Sequence, residues 1–320
     1  MDVKEKLELI KKNTVEIISD KELIDLIKTK KKPVVYCGYE PSGPMHLGHF
    51  VTVTKLIDLV NAGFHVKVLL ADVHAMLNRK GDEDKIAKEV EAWTKTVKAI
   101  GLDAEIVLGS TFQFRQEYAQ DVMRMAQEIT INRGLRSMQE VARDIENATV
   151  SQLWYPLMQV EDIKSLGCDV AVGGLEQRKI HMLAREMSGV INHKPIVLHT
   201  PLITSLKGPG QKMSKSIIGS GISVTDSDEE IKKNISKAYC PEKEVKDNPI
   251  LQIAQLIVMP HLKKLEVNRP EKFGGNTEYK DYKSLEKDYS GGKLHPADLK
   301  NSVAAGLITI ISPIRANFKG

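Results

Sequence analysis

The sequence predicts an α/β protein built on a doubly wound parallel sheet, with an inserted helical segment and a C-terminal α-helical domain. Three observations predict it. Short, near-continuous runs of Val, Ile and Leu alternate with longer amphipathic stretches up to about residue 200, the pattern of strands covered on both faces. Residues 115–150 carry helical spacing with no strand run between them. From roughly Thr225 the strand signals stop, and helical stretches are joined by turns at Pro260, Pro270, Gly274-Gly275 and Gly291-Gly292.

Taken in order, residues 4–30 read as amphipathic helices, with Ser19-Asp20 a cap before Lys21–Lys28. Val34–Gly38 is a strand, and Glu40–Gly43 a turn built from Pro41 and Gly43. A helix runs from about Met45 to Asn61, closed by Ala62-Gly63. Val66–Ala71 is a second strand, residues 82–100 a helix, and Glu105–Leu108 a third strand. The helical segment 115–150 carries Arg124, Arg133, Arg136 and Arg143. Pro156 suits a first helical position. Cys168–Val172 is a fourth strand, followed by Gly173-Gly174 and a helix over Glu176–Met187; Ile196–His199 is a fifth. This alternation is Rossmann-like, and ligands of such sheets bind beyond the carboxyl ends of the strands.

Composition excludes several classes. Net charge is only +4 in 320 residues, so RNA binding would rest on local groups such as Arg133 with Arg136 or Lys263 with Lys264, each of which also suits a solvated face. Three widely spaced cysteines, Cys37, Cys168 and Cys240, fit neither a disulfide framework nor a zinc site. Met1 leads into Lys4, Glu5 and Lys6, no secretory signal, and no apolar run approaches membrane-spanning length. The expectation is a soluble, cytoplasmic protein without a bound metal site.

Two segments carry the chemistry. His46-Leu47-Gly48-His49 follows a predicted strand at a helix start, where backbone N–H groups and the helix dipole favour anions. Gly48 leaves bare backbone on which a flat base can lie. Lys212-Met213-Ser214-Lys215-Ser216 sits beside Gly208-Pro209-Gly210, two ammonium groups and two hydroxyls on a loop able to close. Together they can cradle a nucleotide triphosphate from both sides. Tyr155, Gln159 and Asp162 stand at i, i+4 and i+7, one helical face, with Glu161 and Lys164 opposite as a solvent face. A second polar stripe fits a helix that lines a cavity, and equally an all-round polar surface helix.

On the HLGH and KMSKS segments, in this order and nearly end to end, the chain resembles the class I aminoacyl-tRNA synthetases, and within them the tyrosyl-tRNA synthetases of the short archaeal and eukaryotic-core type. The resemblance implies His46, His49, Lys212 and Lys215 as catalytic groups. It implies ATP contacts at these four and at Gly43, Gly48, Gly174, Glu176, Ser214 and Ser216, with Mg2+ held mainly by the ATP phosphates. It implies that Tyr36 and Asp162 hold the phenolic hydroxyl of L-tyrosine and that Tyr155, Gln159 and Gln177 hold its amino group. Leu69, His74, Phe112 and Gln113 complete the walls. Arg136 is implied near the acceptor end of tRNA(Tyr), and Phe273, His295, Pro296 and Asp298 around the anticodon, although Pro296 and Asp298 also make a good helix start. A homodimer through 115–150 is implied as well. The expected division is a catalytic domain over 1–224, including the insertion and a KMSKS loop at 208–216, and an anticodon-binding helical domain over 225–320. A tryptophanyl enzyme, a small nucleotidyltransferase and a non-catalytic RNA-binding paralogue are the alternatives. Tyr36 and Asp162 speak against the first, residues 225–320 against the second, and the intact histidines against the third.

Overall fold

A computed structural model describes residues 1–139, 147, 149–210, 213 and 219–317. The chain forms two compact units, Met1–Gly43 with Lys55–Pro201, and Pro44–Thr54 with Leu202–Gly320.

The first unit holds six strands: β1 Glu16–Ile18, β2 Val34–Tyr39, β3 His65–Leu70, β4 Ala104–Leu108, β5 Val170–Gly174 and β6 Ile196–Thr200. They form one sheet in the order β1-β6-β5-β2-β3-β4. Strands β2 to β6 are parallel; β1 pairs antiparallel with β6. All five strands expected from the sequence are present, shifted by one or two residues at their ends. Both β5 and β6 are buried at every position, as apolar runs between two helical layers should be. The chain winds outward from β2 in one direction and from β5 in the other, so the strand order reverses between these neighbours. That is where a parallel sheet opens a crevice at its carboxyl edge.

Caps set the helix limits. Ser19 accepts from Glu22 N at the start of Asp20–Thr29, and Asp82 accepts from Lys85 N before Glu83–Ile100. The insertion contributes helices Gln116–Glu128 and Ile131–Met138; Arg143 lies outside the described residues. Two readings of the next helix are corrected. It spans Val150–Ser165 from a Thr149–Gln152 capping box, so Pro156 is interior rather than first. Glu161 is not on a solvent face: it is 2% exposed, because helix 116–128 packs over that side, where Lys164 pairs with Asp121.

In the second unit, helices Asp228–Lys237, Pro249–Ile253, Met259–Leu262, Tyr282–Ser290 and Pro296–Ala316 dominate. The expectation that strands end at residue 225 needs amendment, since β7 Leu265–Val267 and β8 Thr277–Tyr279 form a short antiparallel hairpin. Gly306 lets helix 296–316 pass close to Val258, whose Cγ1 would stand 2.5 Å from an added Cβ. Helix Leu47–Asn61 supplies its first turns to this unit and the remainder to the first.

Candidate active site

Strand register gathers the candidate residues of the first unit on one face of its sheet. Tyr36 stands beside Lys67 on β3 and Ala171 on β5, and Gly38 beside Leu69. Because side chains alternate along a strand, Tyr36, Gly38, Leu69, Ala171 and Gly173 share one face. The two glycines make room there. A Cβ on Gly38 would meet the Tyr36 hydroxyl at 2.9 Å, and one on Gly173 would meet Gln177 Cγ at 2.8 Å. Gly38 is the exposed position of a strand whose other residues are buried or half-buried, so the face opens above it.

Helix 150–165 supplies the wall. Tyr155, Gln159 and Asp162 are all buried, which rules out a polar surface helix. Gln159 Nε2 donates to Gln177 Oε1 at 3.1 Å, and the His74 ring meets Tyr155 edge-on, centroids 4.5 Å apart. Asp162 is held from two directions. Gln113 Nε2 donates to its Oδ1 at 2.7 Å, and the Tyr118 hydroxyl lies 2.8 Å from the same oxygen and 2.8 Å from Met158 O. Its other oxygen, Oδ2, has no hydrogen-bond partner. Burial pushes the Asp162 carboxyl up to about 7, against the two hydrogen bonds that hold it down. Burial lowers His74 to about 4, leaving it neutral. Tyr118 was missed by sequence reasoning. It lies on the insertion helix Gln116–Glu128, 44 residues from Asp162, and no local pattern links the two. Gly109 was missed as well; a Cβ there would stand 2.6 Å from Gln113 Oε1.

The second unit carries the histidine segment. Gly48 N donates to His46 Nδ1 at 3.1 Å and His46 N donates to His49 Nδ1 at 3.3 Å. The rings lie 3.8 Å apart, 30° from parallel. Gly48 is required for this fold-back, since a Cβ would stand 2.8 Å from the His46 ring. With Nδ1 accepting on each ring, the proton of the neutral form sits on Nε2. His46 also bridges to Ser223, and Leu47 N donates to Ile222 O. This ties the histidine segment to chain that closely follows the KMSKS stretch. Met213 N donates to Ile203 O and Leu206 N to Ser220 O, each at 3.0 Å, closing the base of that stretch. Lys212, Ser214, Lys215 and Ser216 themselves lie outside the described residues.

A cluster of buried polar side chains at a sheet switch point and a paired-histidine helix start are the parts an amino-acid-activating enzyme needs. The family described as tRNA synthetases class I (W and Y) matches residues 28–312. The chain belongs to this family. The tyrosine–tRNA ligase of Methanospirillum hungatei is 50% identical over 312 residues, covering 96% of this chain and 97% of that one. The tyrosine–tRNA ligase of Archaeoglobus fulgidus is 50% identical over 319 residues, 98% of both. A crystal structure of tyrosyl-tRNA synthetase complexed with L-tyrosine from Archaeoglobus fulgidus superposes with a TM-score of 0.96 at 49% identity, covering 99% of both chains.

This class I synthetase, like its class, uses ATP. In its first unit, Gly43 adopts a φ of 152° and its carbonyl accepts from Trp93 Nε1 at 2.8 Å. A Cβ on Gly174 would collide with the Glu176 carboxylate. Arg136 is exposed on helix 131–138. Arg133, expected to join it in a basic patch, is instead held by the Glu186 carboxylate at 2.8 Å, and Lys264 by Glu278 and Glu266. In the second unit His295 caps helix 296–316, accepting from Ala297 N at 3.1 Å, and Pro296 is the first helical residue. Arg269, unforeseen from the sequence, lies beside one of the anticodon candidates. It donates to Gly275 O and lies 3.8 Å from Asp298, while Phe273 stands 61% exposed. No helix among the described residues is long and apolar enough to cross a membrane.

Proposed function

We propose that the chain is a tyrosine–tRNA ligase that activates L-tyrosine with ATP and passes the tyrosyl group to the terminal adenosine of tRNA(Tyr). The observation that carries this reading is Asp162 Oδ2, a buried carboxylate oxygen with its hydrogen-bonding capacity unused. A phenolic hydroxyl satisfies it; the indole of tryptophan has no hydroxyl to offer, and phenylalanine would leave the oxygen buried and unpaired. Tyr36 reads the same hydroxyl, Leu69 and His74 wall the ring, and Tyr155, Gln159 and Gln177 hold the amino group. The tyrosine carboxylate then attacks the α-phosphorus of ATP in line, and pyrophosphate leaves. No enzyme nucleophile takes part. Positioning and fixed donors lower the barrier as charge spreads over the phosphate oxygens.

In this reading His46 and His49 donate from Nε2–H to phosphate oxygens beside the bare backbone of Gly48. Lys212, Lys215, Ser214 and Ser216 hold the leaving pyrophosphate, Gly43 and Gly174 let the nucleotide approach, and Glu176 accepts from the ribose. Mg2+ enters with ATP on its phosphates. Residues 1–224 form the catalytic domain and 225–320 the anticodon-binding one. Arg136 contacts the acceptor end of the tRNA; Phe273, His295, Pro296 and Asp298 meet the anticodon, an aromatic platform beside a carboxylate. The enzyme works in the cytoplasm as a homodimer through the insertion, a role supported by the exposed apolar side chains of Phe114, Met123 and Ile131. An ATP–pyrophosphate exchange panel over all standard amino acids tests the central reading. Tyrosine-dependent exchange is expected; exchange driven by tryptophan, or by none, overturns it.

A further inference from the structure

Within the buried polar cluster around Asp162 two groups face each other without touching. Asp162 Oδ2 and His74 Nε2 stand 3.7 Å apart, in side chains 1% and 2% exposed, and neither atom has a hydrogen-bond partner. That separation exceeds a hydrogen bond. Both belong to one proton-counting network. Gln113 presents its amide nitrogen to Asp162 Oδ1 at 2.7 Å; an ionised carboxylate only accepts, so the orientation of the amide follows. The same nitrogen lies 3.3 Å from His74 Nδ1, which therefore receives the second amide hydrogen. A neutral imidazole whose Nδ1 accepts carries its proton on Nε2. The edge-on contact with Tyr155 fixes the plane of the ring. The result is an unused acceptor beside a donor that meets only the Tyr155 backbone, and that outside good hydrogen-bond geometry, both sealed from water.

We propose that His74 is a specificity-determining residue that reads the substrate hydroxyl alongside Asp162: Nε2–H donates to the phenolic oxygen while that hydroxyl donates to Oδ2. The inference rests on the tyrosine-pocket reading and deepens it. An oxygen about 2.8 Å from each atom sits at the apex of a triangle over the two of them, to one side of the line that joins them. With Tyr36 donating to its remaining lone pair, the hydroxyl's one hydrogen and two lone pairs are all engaged. Asp162 alone demands a donor. Asp162 with His74 demands a group that donates and accepts at one atom, which a hydroxyl does and an aromatic amine does poorly, its lone pair being delocalised into the ring. The pocket therefore rejects phenylalanine through both groups, and 4-aminophenylalanine through His74.

The test compares kcat/KM for tyrosine, phenylalanine and 4-aminophenylalanine in pyrophosphate exchange, using the full chain and its H74L, H74Q and D162A variants. Each result is expressed as a ratio of substrates within one preparation, so the fraction of folded enzyme cancels. H74L is expected to reduce the preference for tyrosine over 4-aminophenylalanine at least about tenfold, the value of one buried hydrogen bond. In H74Q the amide nitrogen stands in for Nε2, and the preference stays within about threefold of wild type. A merely structural role for His74 lowers all three rates together, so an unchanged ratio in H74L overturns the inference. D162A separates the levels. If it relaxes tyrosine over phenylalanine while H74L changes nothing, His74 is no reader and the pocket stands; if D162A leaves that preference intact, the pocket reading falls first.

Discussion

Replacing Tyr118 by phenylalanine deletes one oxygen from the Asp162 network and leaves the ring in place. The lost hydroxyl lies 2.8 Å from Asp162 Oδ1, in a side chain 4% exposed, so no water takes over. A hydrogen bond to a buried charged group is worth about 1.5–3 kcal/mol, or about one to two pH units at 1.36 kcal/mol per unit. Asp162 stands at about 7, raised by burial and held down by Gln113 and Tyr118, so Y118F raises it further by that amount. The sign follows from which form binds. The hydroxyl of tyrosine donates to the carboxylate, so kcat/KM for tyrosine rises with pH as Asp162 ionises. In wild type the rise is centred near 7; in Y118F it moves upward by about one to two pH units. Pyrophosphate exchange between pH 6 and 9 reads both profiles. Superimposable limbs would refute the reasoning, because Tyr118 would then contribute nothing to keeping Asp162 charged.

Three further outcomes are expected. Glu161 is buried and raised from 4.5 to about 7 chiefly by desolvation. A folded-state value above the unfolded one makes wild-type stability fall between those pH values, so E161Q gains about 3 kcal/mol relative to wild type from pH 4.5 to 8 in urea titrations; a pH-independent difference contradicts the burial argument. K212A and K215A lower the single-turnover rate of tyrosyl-adenylate formation at least about tenfold, one charge-assisted hydrogen bond made in the transition state, with little change in tyrosine affinity by equilibrium dialysis. Wild-type burst rates in either variant would remove these lysines from the chemistry. F273A raises KM for tRNA by about fivefold to a hundredfold, the value of one base stacked on an aromatic ring. An unaltered KM in aminoacylation would show that the exposed ring does not meet the anticodon.

Much of the fold was legible because its signals are local. Ser19, Asp82 and His295 sit where helices begin, and the runs around Val35, Val68 and Val170 are too apolar for any place but a covered sheet. What was illegible is short or depends on a distant partner. β1 is three residues between two capped helices, and only the edge of β6 makes it a strand. β7 and β8 are equally brief, set among glycines and prolines that mark turns just as well. Pro156 suits the start of a helix or its interior by residue type alone, and the capping box at Thr149 and Gln152 decides in favour of the interior. Glu161 occupies the face that spacing assigns to solvent, but helix 116–128 covers it.

The sequence by itself determined the residue types, the motifs and the positions sharing one helical face, including Tyr155, Gln159 and Asp162. Helical and strand periods are properties of the covalent chain, and they do not depend on what lies across the core. Tertiary structure alone decided that Tyr118 joins Gln113 on Asp162, and which oxygen of Asp162 is left over once they have. Hydrogen-bond capacity is spent through space at about 3 Å, so the unused acceptor that marks the site exists only after every neighbour has taken its share.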